Sequence, residues 1–274
     1  MHHINHFYGH AHILARWCGI EGDPPRIDGF VQHGWNIGDG WETGRPLVGH
    51  HPLFVWSEQT RRRAWALGRR NVHVLGAPFA YLDAMTPAAP AERRGTIWYP
   101  FHGWEKQQVE GDHDSLIRTI RSVEDDEVTV CLHVNEYSQG EIRKRYLDAG
   151  FDVICHGTRG WLYNDTDPDF LVRQLAALRR HRRVASNRLS TAVFYGILAG
   201  CEPAVYGDPM LLAGEEKAFG GQERIRRQWA HLHGEQVDPV AARETARLEL
   251  GVGNLATPTE MRELFGWHRR EETR

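Results

Sequence analysis

Residues 184–207, VASNRLSTAVFYGILAGCEPAVYG, decide the fold that the sequence predicts. Val184 and Ala185 form a short apolar strand, a polar loop follows, and Thr191 to Leu198 form an apolar helix. A second apolar strand, Pro203 to Tyr206, comes soon after that helix. Two apolar strands joined through one helix are typical of a parallel sheet that helices cover on both faces.

The same alternation of strands and helices runs upstream of this stretch. We predict three more apolar strands, at Thr96–Tyr99, Val128–Leu132 and Phe151–Cys155. The helices that accompany them are predicted at His113–Val123, Gly140–Ala149 and Asp169–Arg180. Five strands with four intervening helices indicate a doubly wound, Rossmann-like parallel sheet over residues 95–214.

Residues 1–85 are predicted to form a second, reduced α/β domain. Its strands are predicted at Ile27–Val31, Leu53–Trp56 and Val72–Pro78, and its helices at Phe7–Ile20 and, after the N-cap Ser57, at Gln59–Leu67. Residues 86–94 contain the proline and alanine typical of a linker. Residues 215–274 are charged and helical, and their apolar side chains need burial, so we expect these helices to pack across the domain junction.

Composition excludes several classes of protein. The chain has 274 residues, of which 41% are hydrophobic and 25% charged, as in ordinary globular proteins. Its net charge of −3 argues against nucleic acid as a partner. No stretch approaches the roughly 18 uncharged apolar residues that span a membrane, and the first residues do not resemble a signal peptide. The four cysteines lie far apart without a C-x-x-C pair, so we expect a cytoplasmic protein.

Histidines follow four of the predicted strands within two or three residues, namely His33, His102, His133 and His156. Ligands of open parallel sheets bind beyond the carboxyl ends of the strands, so these histidines predict a polar cleft at that edge. A single histidine at such a position is more often a structural hydrogen-bonding residue, which is the alternative for each one taken alone.

The helix that begins at Thr191 follows a run of small polar residues and one arginine: Ser186, Asn187, Arg188 and Ser190. The free N–H groups at a helix start bind phosphate readily, so we predict a phosphate site here. A plain N-cap by Ser190 is the alternative, and both can hold because they use the same groups. The chain lacks G-x-x-x-x-G-K-[ST] and has no G-x-G-x-x-G after its first strand, which argues against a nucleoside triphosphatase and a conventional dinucleotide enzyme.

Acidic and histidine-rich runs do not indicate a metal site. Asp165 and Asp167 form a D-x-D motif, but aspartate before proline is also an ordinary helix start. His6 and His10 share a helix face without a carboxylate or cysteine companion. The acidic run at 124–127 precedes a strand and is typical of a solvated turn. We therefore predict no metal and no resident cofactor.

Short motifs near several strand ends resemble GT-B-fold glycosyltransferases. The resemblance is to bacterial capsule and surface-polysaccharide enzymes, including relatives of polysialyltransferases and CDP-glycerol glycerophosphotransferases. It rests on His33-Gly34, Trp56-Ser57-Glu58, Gly76-Ala77-Pro78, Tyr99-Pro100-Phe101-His102, Ser186 to Thr191 and Gly200 to Gly207. In that group a histidine and a serine/threonine helix start hold the nucleotide phosphates, which here implies His102, Ser190 and Thr191. Gly103 follows His102 where polysialyltransferase-like enzymes have proline.

The resemblance implies a metal-independent glycosyltransferase that moves a sugar from a nucleotide-activated donor to a hydroxyl acceptor, in surface-polysaccharide or secondary-metabolite glycosylation. We expect His33 to be the base, with Asp39 second, since Asp39-Gly40 is a loose counterpart of the group's acidic motif. Arg188 or Arg159 is expected to assist at the phosphates, and Glu136 and Tyr137 to touch the nucleobase or ribose. The alternatives are a sugar-nucleotide epimerase, a phospho-alcohol transferase and a non-catalytic binding module. A homo-oligomer stays open.

Overall fold

The computed structural model describes residues 3–41, 51–87, 92–103, 109–160, 166–213 and 221–267. The chain divides into two compact units. The first comprises residues 1–87, 158–171 and 247–274, and the second comprises residues 88–157 and 172–246. Each unit has a parallel sheet with helices, which confirms the predicted class of an α/β chain with two Rossmann-like units and a reduced N-terminal sheet. The predicted domain boundaries at 85, 95 and 214 stay predictions.

The second unit contains a five-stranded sheet in the order β7-β6-β4-β8-β9. Its strands are β4 (Thr96–Tyr99), β6 (Val128–Cys131), β7 (Asp152–Ile154), β8 (Arg183–Ser186) and β9 (Glu202–Val205). All four pairings are parallel, and Tyr99 at the end of β4 lies beside Ser186 at the end of β8. This order is that of a doubly wound Rossmann-like sheet.

The helices of the second unit are α4 (His113–Val123), α5 (Val134–Ser138), α6 (Gly140–Asp148), α7 (Phe170–Arg180), α8 (Thr191–Leu198), α9 (Gly221–Gln228) and α10 (Pro239–Glu249). The first two residues of α7 and the last three residues of α10 belong to the first unit. Four of these helices, α4, α6, α7 and α8, begin and end within one residue of the predicted positions. Asp112 caps α4, because its carboxylate accepts hydrogen bonds from the N–H groups of Asp114 and Ser115. Buried side chains such as Trp98, Ile120 and Val130 form the core of this unit.

Three features of the second unit were not predicted. The short helix α5 begins at Val134, after the two residues that follow β6, and His133 is its N-cap. A separate antiparallel pair joins β5 (Val109–Glu110) to β10 (Leu211–Leu212) outside the parallel sheet. The acidic run at 124–127 is only partly a solvated turn, because the side chain of Glu124 is buried. Its carboxylate accepts hydrogen bonds from the Thr96 and Tyr206 hydroxyls at 2.6 Å each and from Arg183 Nε at 3.1 Å.

The first unit contains a three-stranded parallel sheet in the order β1-β2-β3. Its strands are β1 (Phe30–Val31), β2 (Leu53–Val55) and β3 (Val72–Val74), and its helices are α1 (His10–Trp17), α2 (Glu58–Ala66), α3 (Pro78–Met85) and α11 (Pro258–Phe265). Ser57 caps α2 as predicted, since its hydroxyl accepts the Thr60 N–H at 3.2 Å. The predicted strand Val72–Pro78 is too long, because Gly76 turns with φ +84° and Pro78 begins α3.

The C-terminal residues 247–267 pack within the first unit. Trp17 Nε1 donates to the Ala256 carbonyl at 2.9 Å, and Trp267 Nε1 donates to the Arg26 carbonyl at 2.9 Å. Gly251 has φ +64°, and a Cβ atom there would lie 1.7 Å from the Trp56 carbonyl oxygen. Only glycine fits this close approach of two backbone segments.

In the part of the chain that the structure describes, no helix has the length and apolar character to cross a membrane.

Candidate functional site

The candidate site of the second unit lies at the carboxyl ends of the neighbouring strands β4 and β8. The chain leaves β4 for β6 and β7 on one side, and then returns to β8 on the other side. Ligands of doubly wound sheets bind beyond the carboxyl ends of the strands at such a switch point. Phe101 N–H donates to Asn187 Oδ1 at 2.7 Å, and the Arg188 guanidinium lies 3.5 Å from the centre of the Phe101 ring. The structure thus brings the His102 loop together with Asn187 and Arg188.

Asn187 and Arg188 are buried and hold the loop that follows β9. Asn187 Nδ2 donates to the Asp208 carbonyl at 2.7 Å. Arg188 Nε donates to the Pro209 carbonyl at 2.7 Å, and its Nη2 donates to the Met210 carbonyl at 2.5 Å. Ser186 Oγ accepts the Arg188 N–H at 3.2 Å. These contacts give both side chains a positioning role in this conformation, and their predicted contact with phosphate stays a prediction.

Ser190 and Thr191 lie at the start of α8, in the loop that follows β8. Both are half-buried. Ser190 occupies the N-cap position with an extended backbone, but its side chain makes no capping hydrogen bond to α8. The first N–H groups of a helix carry partial positive charge and attract anions. The helix begins at Thr191, as the sequence predicted, and the binding of phosphate at this helix start stays a prediction.

His102 stacks on His133 at the same edge of the sheet. Their ring centres are 4.3 Å apart and their planes differ by 7°. His102 is exposed, whereas the side chain of His133 is largely covered. His102 Nδ1 lies 2.7 Å from the Gly103 carbonyl oxygen. The sequence placed both histidines after strands, but only the fold shows that their rings form one stacked pair.

Glu136 lies beneath this stacked pair. Its Oε1 accepts the Gly103 N–H at 2.8 Å, and its Oε2 lies 3.7 Å from His133 Nδ1. Burial acts to raise the pKa of Glu136, but His133, the Gly103 N–H and His102 together outweigh it and hold the pKa below its usual value. Tyr137, the next residue, lies under the Arg143 guanidinium at 4.3 Å. The predicted contact of Glu136 and Tyr137 with a nucleobase or ribose stays a prediction.

His156, unlike His102, is an internal residue. Its Nε2 lies 2.9 Å from the Tyr99 hydroxyl, and Arg173 donates two hydrogen bonds to its carbonyl oxygen. Burial, assisted by the Arg173 and Arg180 charges, lowers the pKa of His156 to about 3. His156 is therefore a neutral structural residue near pH 7.

In the first unit, His33 follows β1 and is half-buried. Its ring packs edge-on against the Phe7 ring at 5.7 Å between centres. The Arg159 guanidinium lies 4.8 Å from the centre of the same Phe7 ring. Arg159 therefore belongs with His33 in the first unit, whereas Ser190, Thr191 and Arg188 belong to the second.

The glycine-rich loop after His33 is held from several sides. Trp35 Nε1 donates to Glu249 Oε2 at 2.9 Å, and Arg63 Nε donates to the Gly38 carbonyl at 3.1 Å. Asp39 is buried, pairs with Arg69 and accepts the Trp41 N–H at 3.0 Å. These contacts fix the backbone next to His33 and commit the Asp39 carboxylate to the fold.

His10, the first residue of α1, is fully buried near His33. Among the described residues, neither ring nitrogen of His10 has a hydrogen-bond partner. Burial, with a smaller contribution from His33, lowers the pKa of His10 to about 3. His10 is therefore a neutral core residue at neutral pH.

No three His, Cys, Asp or Glu side chains converge on a metal-sized site within the described ranges. Asp165 of the D-x-D motif lies outside the described residues. Asp167 Oδ1 accepts the Asp169 N–H at 3.1 Å, which is the local bond of a turn before a helix.

No family model and no curated protein matches the chain. Among solved structures it is similar to a point mutant of S. aureus TarM in complex with fondaparinux, alpha-GlcNAc-glycerol and UDP, at 10% identity over 77% of this chain and 38% of that chain, with a TM-score of 0.33. It is also similar to a putative UDP-N-acetylglucosamine 2-epimerase from Listeria monocytogenes, at 14% identity, with a TM-score of 0.38. That match covers 76% of this chain and 54% of the epimerase chain. A third similar structure is a point mutant of Os79 from O. sativa in complex with UDP, at 9% identity, with a TM-score of 0.35. That match covers 78% of this chain and 49% of the Os79 chain. The chain thus spans between a third and about half of the length of these structures.

Proposed function

We propose that the chain is a glycosyltransferase that takes its sugar from a nucleotide-activated donor. The observation that carries the proposal is that two kinds of phosphate-binding group follow the neighbouring strands β4 and β8. The loop after β4 carries the exposed His102, and the loop after β8 leads into the N-terminus of α8 at Ser190 and Thr191. A helix start and an imidazole at one sheet edge suit the phosphates of a nucleotide sugar.

The departing nucleotide phosphate needs positive charge as the bond to the sugar breaks. We assign that charge to His102 and to the N–H groups of α8, with the Ser190 and Thr191 hydroxyls as further donors. Asn187 and Arg188 keep these groups in place through the loop after β9. Because protein groups supply the charge in this scheme, the proposed transfer is metal-independent.

The acceptor hydroxyl needs a base, and we propose His33 for that role. His33 is half-buried beside a loop that Arg63 and Glu249 hold in place. Asp39, the second candidate, is the weaker one because its carboxylate is buried against Arg69. We further propose that Arg159 contacts one of the two substrates, the nucleotide-sugar donor or the hydroxyl acceptor.

The first experiment measures binding and products. Thermal shift against UDP-, GDP-, CDP-, dTDP- and CMP-activated sugars should find a stabilising donor, since a ligand at 100 times its Kd adds about 2.7 kcal/mol. The products are then analysed after incubation of that donor with a mixture of hydroxyl acceptors, once with EDTA and once without it. A sugar transferred to an acceptor should appear in both reactions. An epimerised sugar, a transferred phospho-alcohol or unchanged donor would overturn the proposal in favour of an epimerase, a phospho-alcohol transferase or a binding module. Loss of transfer in EDTA that Mg²⁺ or Mn²⁺ restores would overturn metal independence.

Variants separate the two proposed roles. Thr191→Glu should abolish donor binding by placing a negative charge at the helix start, whereas Thr191→Ala should weaken it by less than about tenfold because the N–H groups remain. His33→Ala should leave donor affinity nearly unchanged and lower turnover by about 10²–10⁴-fold. His102→Ala should impair both. If His33→Ala abolishes donor binding while Thr191→Glu leaves it intact, the two roles are assigned to the wrong residues.

A further inference from the structure

The Nδ1 atom of His133 lies near one hydrogen-bond donor, the Asn135 N–H, and one acceptor, the Glu136 carboxylate. Its Nδ1 accepts the Asn135 N–H at 3.4 Å, a long hydrogen bond, so this nitrogen carries no proton in the conformation described. The same Nδ1 lies 3.7 Å from Glu136 Oε2. Within the described residues, Glu136 Oε2 is buried and receives no hydrogen bond. A proton on Nδ1 would therefore exchange a weak bond from Asn135 for a charge-assisted bond to a carboxylate oxygen that lacks a donor.

We propose that His133 takes up this proton when the phosphate of a nucleotide sugar binds at His102, and that Glu136 is the positioning residue that holds the resulting imidazolium. The inference rests on the proposed function, because it names how the same site recognises its donor. In this proposal the phosphate charge lies against the exposed His102, while Glu136, whose charge acts on both rings, has its Oε2 nearest to His133 Nδ1. An imidazolium in the stack is then flanked by negative charge on both sides.

Other charged or titratable groups near the stack come from several elements. His113 of α4 lies close enough to Glu136 to interact with its charge, but burial lowers the pKa of His113 and its Nδ1 pairs with the Tyr146 hydroxyl at 2.9 Å. Arg188 lies over Phe101, and Arg143 of α6 lies over Tyr137. Asp112, Asp114 and Arg145 surround His113 rather than the stack. Glu136 is thus the carboxylate, among the described residues, that faces His133 at short range.

The test is calorimetry with the nucleotide sugar that binds in the panel above. Such a phosphate ester has no group that titrates between about pH 6 and pH 8, so any proton taken up from the buffer goes to the protein. Titrations in two buffers of different ionisation enthalpy should show uptake of between roughly half a proton and one proton per donor bound at about pH 7.5. The affinity should fall by up to about tenfold per pH unit as the pH rises through this range.

Three variants assign the proton. His133→Asn should bind the donor more weakly, with no proton uptake and a flat pH profile. Glu136→Gln keeps an acceptor for the Gly103 N–H and should reduce the uptake by at least half. His231→Gln, a change at an exposed histidine paired with Thr245, is the matched control and should leave the uptake unchanged.

A second measurement needs no variant. NMR of the wild-type histidine ring protons, with and without donor, should show that the His133 ring becomes charged on binding. Donor binding without proton uptake, uptake that persists in His133→Asn, or a charge on His102 instead would overturn this inference and leave the proposed function intact. A wild-type protein that binds no nucleotide sugar would overturn both.

Discussion

Two buried histidines, one in each unit, make the chain sensitive to mild acid. His10 and His156 have folded-state pKa values lowered to about 3, chiefly by burial. In the unfolded chain a histidine titrates near about 6.5. Between these values the unfolded chain binds a proton that the folded chain does not, so stability falls as the pH decreases from about 6.5 toward 3.

The size of the effect follows from the two pKa values. At about pH 7.5 each histidine costs only about 0.1 kcal/mol, and at about pH 5 each costs about 2 kcal/mol of unfolding free energy. His10→Leu should remove this cost in the first unit. It should also stabilise the first unit at the higher pH by roughly 1 kcal/mol, since burying an unsatisfied imidazole is unfavourable.

Urea unfolding at about pH 7.5 and about pH 5 measures the difference, and hydrogen exchange with mass spectrometry reads the two units separately. His10→Leu should shrink the loss of stability in α1 and the first sheet by about 2 kcal/mol and leave β4 unchanged. His156→Gln should do the reverse, and the exposed His231→Gln should change neither. If His10→Leu loses as much stability at the lower pH as the wild type, His10 is not a neutral core residue and the burial argument fails.

Three further substitutions probe the buried contacts. Asp39→Asn should lower the unfolding free energy by about 2 kcal/mol, because the half-buried Arg69 loses a charged hydrogen-bond acceptor. If the variant and the wild type unfold at equal urea concentrations, the pairing with Arg69 is no argument against Asp39 as the catalytic base. Glu124→Ala should cost about 3 kcal/mol in the same assay, since it removes the acceptor of two buried hydroxyls, those of Thr96 and Tyr206, and of the Arg183 guanidinium. Gly251→Ala should lower the thermal midpoint by several degrees through its clash with the Trp56 carbonyl, whereas Gly253→Ala, with open space around its Cβ, should not; equal midpoints would contradict the close approach.

The parallel sheet of the second unit could be predicted because its local signals agree. β4 and the helices α4 and α8 begin and end at the predicted residues. Continuous apolar strands mark burial on both faces, and caps such as Asp112 mark where helices begin. The pair β5–β10 had no such signal. Its two-residue strands pair only because the loops after β4 and β9 meet in the fold.

The candidate site could be predicted in its position but not in the state of each side chain. The rule that ligands bind beyond strand ends selected His102, His133 and His156 alike. Burial then separates them, since His156 is internal and His102 is exposed. Burial of a loop residue depends on which other loops cover it, and no periodicity in the sequence reports that. Glu124 shows the same limit, because an acidic run before a strand gives no sign of the Arg183 that pairs with it.

The hydrogen bonds of Arg188 bear on its predicted contact with phosphate. Sequence reasoning placed this arginine at the donor phosphates, yet its Nε and Nη2 donate to the carbonyls of Pro209 and Met210. Redirecting the guanidinium to a ligand would leave the carbonyl of the buried Met210 without its donor, at a cost of about 1–3 kcal/mol. The N–H groups at the start of a helix have no such competing intrahelical acceptors. Arg188→Ala should therefore weaken donor binding by loosening the loops after β8 and β9, which the thermal-shift assay with the bound donor measures.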